Sequence, residues 1–162
     1  VVAGLSVADL QELYELREAI EPLPTRLAVP NVGRAELLSM RKQLDIMDSQ
    51  VDARVWLSAN AAFHAAVYRQ ANRPRMIELV EQLRCQTDRY MYIHLETIGQ
   101  TEHLSVEHRD ILAAVERGDA ALAADLTREH LATSHDFILT YLLKEQSEVN
   151  GSGGRSSFPS ST

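Results

Sequence analysis

The chain has 162 residues, 45% hydrophobic and 24% charged, the balance of an ordinary soluble globular domain able to bury a core without staples. Sixteen Lys and Arg against 23 Asp and Glu leave a net charge of −7, which argues against a chain that grips nucleic acid with its own surface. The lone Cys85 excludes a disulfide framework and a Cys-rich zinc module, and no apolar run approaches the roughly 18–20 residues of a membrane span.

No signal-peptide pattern opens the chain, so a reducing, cytoplasmic setting without membrane attachment is expected. Val1 in place of Met suggests a processed or truncated product, with residues 1–5 the remnant of a linker. The first helix is predicted to start at Ser6, whose hydroxyl can cap the turn with Asp9 three residues on, and to run to Ile20. Pro22 redirects the chain into a short piece ending at Pro30. From Gly33 to Val51, the residues Leu37, Met40, Leu44, Met47 and Val51 repeat at three and four, a buried stripe. A helix over 52–71 buries Trp56, Ala59, Phe63, Ala66 and Val67. Asn72 ends it, and Pro74 starts a long helix to about Thr97. Gly99 resets the chain for a helix from Thr101 to Arg117. Gly118 and Asp119 then supply a stop and a cap before a last helix to about Lys144. No segment shows the two-residue alternation of a strand. The expected fold is all-α, an antiparallel bundle of six or seven helices over residues 6–146, with a disordered Gly/Ser-rich tail at 147–162.

Three of the six histidines interrupt apolar faces. His108 lies in the stripe Leu104, His108, Ile111, Val115, and His130 joins Ala123, Leu126, Ser134, Phe137 and Tyr141. His64 flanks the apolar face of its helix with Asn60 one turn below, so both side chains can reach one point. Three neutral imidazoles from different helices and an oxygen suit Zn²⁺ or a similar divalent ion; core histidines hydrogen-bonded to nearby groups would give the same pattern. His94 also falls in line with Leu83, Thr87 and Tyr90, whereas His103 and His135 read as solvent or rim residues. Arg17 occupies the seam Leu10, Leu13, Ile20. It is paired with a Glu of a neighbouring helix, a snorkelling side chain, or an anion receptor at a pocket edge. Glu12, Glu15, Glu18 and Glu21 read as a solvated face. HExxH, Glu-x-x-His, Walker, GxGxxG and Gly-x-Ser-x-Gly motifs are absent from the sequence.

Three segments, LYELREAIEPLPTRLAV at 13–29, NAAFHAAVYRQANRP at 60–74 and EHRDILAAVERGDAALAADLTREHL at 107–131, resemble the FCD ligand-binding domain of GntR-type bacterial transcription regulators, the FadR C-terminal-like class. The resemblance covers about 6–143 and is most specific in its EHR…GD…HL part. It implies a helical bundle around a small-molecule pocket, with metal ligands falling on Asn60, His64, His108 and His130. Position 60 is Asn where metal-binding members carry Asp, which implies weaker metal affinity and a more positive centre. Family regulators also carry an N-terminal winged helix-turn-helix that this sequence lacks.

The expected function is therefore effector sensing and dimerisation for a transcription regulator, without catalysis. A small organic or amino acid would bind at a divalent ion, Zn or else Ni or Mn, and at Arg17. A homodimer is expected, with DNA bound only through the missing domain. The alternative is a metal-dependent hydrolase or lyase acting on small acids, for which Glu107 beside His108 faces away from the ligand position.

Overall fold

Ser6 caps the first helix as expected: its hydroxyl accepts from the backbone N–H of Asp9 at 2.9 Å and opens α1 (Val7–Ile20). The computed structural model describes residues 6–49, 52–99 and 102–152, with side chains as far as Val149. After α1 come α2 (Pro22–Ala28), α3 (Arg34–Asp48), α4 (Ala53–Tyr68), α5 (Pro74–Thr97), α6 (Glu102–Glu116) and α7 (Ala120–Ser152). Single 3-10 turns follow α2 and α4, and there is no strand among the described residues.

Local chemistry sets most of these boundaries. Asp52 caps α4 by accepting from the N–H groups of Arg54 at 2.9 Å and Val55 at 3.0 Å. Asn72 ends the turn after α4 in the left-handed region, φ 54°, and Pro74 then starts α5. At Gly118, φ is 70°, a conformation a side chain rarely adopts. The Asp119 carboxylate accepts from Leu122 N at 3.0 Å to start α7. Val51 and the expected start of α6 at Thr101 lie outside the described residues.

One boundary differs. Helix α7 runs to Ser152, eight residues beyond the expected end at Lys144 and through the first six residues of the expected tail. Nothing between Lys144 and Asn150 breaks a helix; the first glycine of the tail is Gly151. Residues 153–162 lie outside the described residues.

The helices form the expected antiparallel bundle, α3 packing against α4 most extensively, while α7 packs against α1, α2, α5 and α6. The core forms where these apolar faces meet, with Leu10, Tyr14, Met40, Phe63, Val80, Leu104 and Ile138 each at most 1% exposed. Each such side chain contributes about 1.5–3 kcal/mol of burial. Surface ion pairs Arg41–Glu116 and Arg109–Asp48 tie α3 to α6. That scaffold carries polar side chains inward on α1, α4, α5, α6 and α7.

Candidate functional site

Residues 56, 60 and 64 are spaced by four, so one face of α4 carries Trp56, Asn60 and His64 in successive turns. His108 enters from α6 and His130 from α7, with ring centroids 5.3 Å (His64–His108), 5.3 Å (His64–His130) and 4.6 Å (His108–His130) apart. One nitrogen of each ring lies within 4.8 Å of the other two. Donors on a single ion with bonds of about 2.1 Å stand about 3–4 Å apart, so small rotamer changes would complete the set. Asn60 Oδ1 lies 2.8 Å from His108 Nε2, which puts the fourth expected residue in the same cluster.

The electrostatics suit a cation. Burial pushes His64 and His108 well below the ordinary imidazole range, and the neighbouring imidazoles reinforce it. His130 is pushed down to about 3, again by burial first. Glu107 would favour a proton on His130, to which its Oε2 lies 2.6 Å from Nδ1, but burial outweighs it. A neutral ring satisfies that contact by donating Nδ1–H to the carboxylate, leaving the Nε2 lone pair for a metal. Neutral imidazoles, a carboxylate behind one of them and an amide oxygen beside another form a donor set that could hold a divalent ion.

Glu107 was expected to face elsewhere. It projects from α6 beside His108, and the packing of α6 against α7 brings it onto His130; no spacing within either helix signals this.

Arg17 is 7% exposed and lies on a pocket wall with Asn60, His64 and His130, so the expected site residues on α1, α4 and α7 share one pocket. The cavity is small, about 20 Å³, room for about one water, so a ligand would enter only by displacing lining side chains. His108 is not among its walls and reaches the centre through its contacts with Asn60 and the other two rings. Arg17 Nε donates to Glu21 Oε1 at 2.6 Å and Nη1 to Thr87 Oγ1 at 2.8 Å. Burial alone would lower its pKa, but the Glu21 carboxylate raises it, so the guanidinium stays charged.

Two expectations are corrected here. Glu21 is not solvated: it is 1% exposed, and its Oε2 accepts from the Tyr68 hydroxyl at 2.7 Å. The partner of Arg17 is thus on the next turn of its own segment, at the i,i+4 spacing that was visible in the sequence. His103 and His135 are half-buried, within the expectation of solvent or rim positions. His135 stacks on Tyr14 at 5.2 Å, and His103 lies 4.4 Å from Phe137. His94 is 1% exposed and stays outside the cluster, against Phe137 at 4.2 Å, with neither ring nitrogen hydrogen-bonded.

The family model for the FCD domain matches residues 12–133. The chain belongs to the FCD domain family. Among curated proteins, this FCD domain is 27% identical over 145 residues to the HTH-type transcriptional repressor GlaR of Escherichia coli K12, covering 82% of the chain and 65% of that protein. It is 28% identical over 117 residues to the HTH-type transcriptional regulator McbR of the same organism, covering 68% and 52%. A probable D-xylose utilization operon transcriptional repressor of Paenarthrobacter nicotinovorans is 26% identical over 133 residues, covering 81% and 58%. The chain therefore spans between 52% and 65% of the length of these relatives. Its fold matches a GntR-family transcriptional regulator of Pseudomonas syringae pv. tomato DC3000, with TM-score 0.80, 21% identity and coverage of 91% of this chain and 62% of that one. It matches E. coli McbR/YncC with TM-score 0.75 and 21% identity, covering 82% and 65%.

Proposed function

We propose that this FCD domain is the effector-sensing and dimerising half of a GntR-type transcription regulator. It takes a small carboxylate at a divalent-metal site and controls a DNA-binding domain attached upstream. The observation that carries this reading is the convergence of three buried imidazoles from α4, α6 and α7 beside a pocket that also holds a charged arginine. An ion bound there would act as a Lewis acid toward a ligand oxygen. Asn60, His64, His108 and His130 would hold it, Glu107 fixes the His130 tautomer, and Glu21 holds the Arg17 fork toward the pocket. The ligand would shift a dimer between two arrangements according to its affinity for each.

A cytoplasmic location accords with this role, and no described helix is long and apolar enough to cross a membrane. A metal-dependent hydrolase or lyase draws no support from the three curated relatives, each named as a transcriptional regulator or repressor. The test is calorimetry of the full chain with zinc, then with small carboxylic acids, alongside sedimentation. Zinc binding, acid binding without turnover and a dimer at micromolar concentration are expected; no zinc binding, or turnover of the acid, would overturn the reading.

A further inference from the structure

The net charge of −7 is not spread evenly over the bundle. The connections from α2 to α3 and from α4 to α5 lie together at one end. The Asn31 side-chain amide donates to the Gln70 carbonyl oxygen at 3.1 Å, and the turns after α2 and α4 pack on each other. Residues 22–36 and 69–78 build this end, with five arginines, Arg26, Arg34, Arg69, Arg73 and Arg75, against two carboxylates, Glu36 and Glu78. That is a local excess of +3, and it leaves −10 on the rest of the chain.

All five arginines are exposed, and none enters an ion pair among the described residues. Elsewhere the habit is the opposite: Arg17, Arg41, Arg84, Arg109 and Arg128 each sit on a carboxylate. Glu36 is already engaged, accepting from Gly33 N at 2.9 Å and from the Gln70 amide at 3.4 Å. Arg73 donates to backbone carbonyls only, those of Ala71 and Asn72. Helix α5 starts at this end without a side-chain cap, so its dipole adds to the positive field.

The ends of four helices packed at about 8–10 Å spread the guanidinium groups over roughly 20 Å, too wide for one small anion. Arginine forks pair with phosphate oxygens, and a phosphate backbone needs charge at a surface rather than a shaped groove. A peptide would need a sheet edge or an apolar groove, and no strand exists among the described residues. The overall negative charge does not forbid the contact. At 0.1 M salt, charges more than about 10 Å apart are largely screened, so a duplex meets this end and not the whole chain.

We propose that the arginine end binds the phosphate backbone of duplex DNA without sequence preference. This goes beyond the sensor reading, in which DNA meets only the upstream domain, and it requires neither metal nor effector. Ser6, where the preceding residues join the bundle, bonds to Tyr90, about 24 Å along α5 from Pro74. The arginine end is therefore a site of its own.

The experiment titrates a fluorescein-labelled duplex of about 30 base pairs and arbitrary sequence with the full chain, reading anisotropy at several salt concentrations. Dissociation constants of about 10–100 μM are expected at about 50 mM salt, with a log–log salt slope of about −3 to −4. Arg69→Glu combined with Arg75→Glu should weaken binding about tenfold or more. Arg128→Glu combined with Lys144→Glu changes the net charge equally on α7 and should cost less than about threefold. If the first pair fails to fold by circular dichroism, Arg69→Ala with Arg75→Ala replaces it and should still weaken binding more than the α7 pair. No anisotropy change at low salt, or equal losses in both pairs, overturns the proposal. Tighter binding of polyglutamate of matched charge would assign the end to an acidic protein and overturn it too.

Discussion

This bundle buries three histidines together and one apart, and their sequence signals were nearly the same. His64, His108 and His130 interrupt apolar stripes, and so does His94. In the fold the first three converge within 4.8 Å, with Asn60 and Glu107 bonded to two of them and a pocket alongside. His94 lies against Phe137 and Tyr141 with no partner for either nitrogen, and His103 sits on the same phenylalanine. Burial alone thus marks a polar side chain that has been desolvated. Convergence, together with a group that can fix the tautomer, is what binding an ion would require.

The largest expected effect separates the clusters outright. His108→Ala should abolish the rise in unfolding temperature that zinc gives the wild type, since free zinc at a hundred times Kd is worth about 2.7 kcal/mol of stability. His94→Leu should keep that rise in full. A rise surviving in His108→Ala would break the comparison. Glu107→Gln comes next: loss of the carboxylate behind His130 should weaken zinc about 10–100-fold in competition titrations with a chelator, while preserving the fold. Asn60→Asp should act the other way and tighten zinc by placing an anionic oxygen beside His108 Nε2.

The smallest effects belong to His94. Replacing its unpartnered ring by leucine should raise unfolding free energy by about 1–2 kcal/mol in denaturant titration. It should also flatten the acid limb. Burial, with His103 second, lowers the folded pKa of His94 to about 4, below the unfolded value of about 6.5. The unfolded chain therefore takes up this proton first, so stability is full above pH 6.5 and is lost as pH falls toward 4. His94→Leu should remove up to one proton's worth of that slope, about 1.4 kcal/mol per pH unit, in melts of the metal-free protein between those values. An unchanged slope would show that the ring titrates normally.

How much of this was legible depends on whether the information is local. The cap at Ser6, the left-handed Gly118 and the redirecting Pro22 each act within a few residues, and each stands where the sequence predicts it. The inward faces of His108 and His130 follow from helical periodicity, which needs one helix only. The Glu107–His130 contact was not legible, because it depends on how α6 and α7 are rotated against each other. Glu21 is a different failure. Its spacing from Arg17 was visible, but its burial comes from Tyr68, 47 residues away on α4. Family resemblance supplied what periodicity lacked for the metal set, singling out His108 and His130 over His94. The length of α7 was misjudged because a polar sequence without glycine or proline was taken for an end.

The comparison turns on whether the three converging histidines bind a metal and His94 does not. X-ray absorption at the zinc edge, on the full chain loaded with one equivalent of zinc, reads this most directly when wild type, His94→Leu and His108→Ala are measured together. The expected result is a site with about three imidazole nitrogens at about 2.0–2.1 Å in wild type and His94→Leu alike, lost or reduced in nitrogen count in His108→Ala. A spectrum without imidazole scattering, or one that changes with His94 and not with His108, would contradict it.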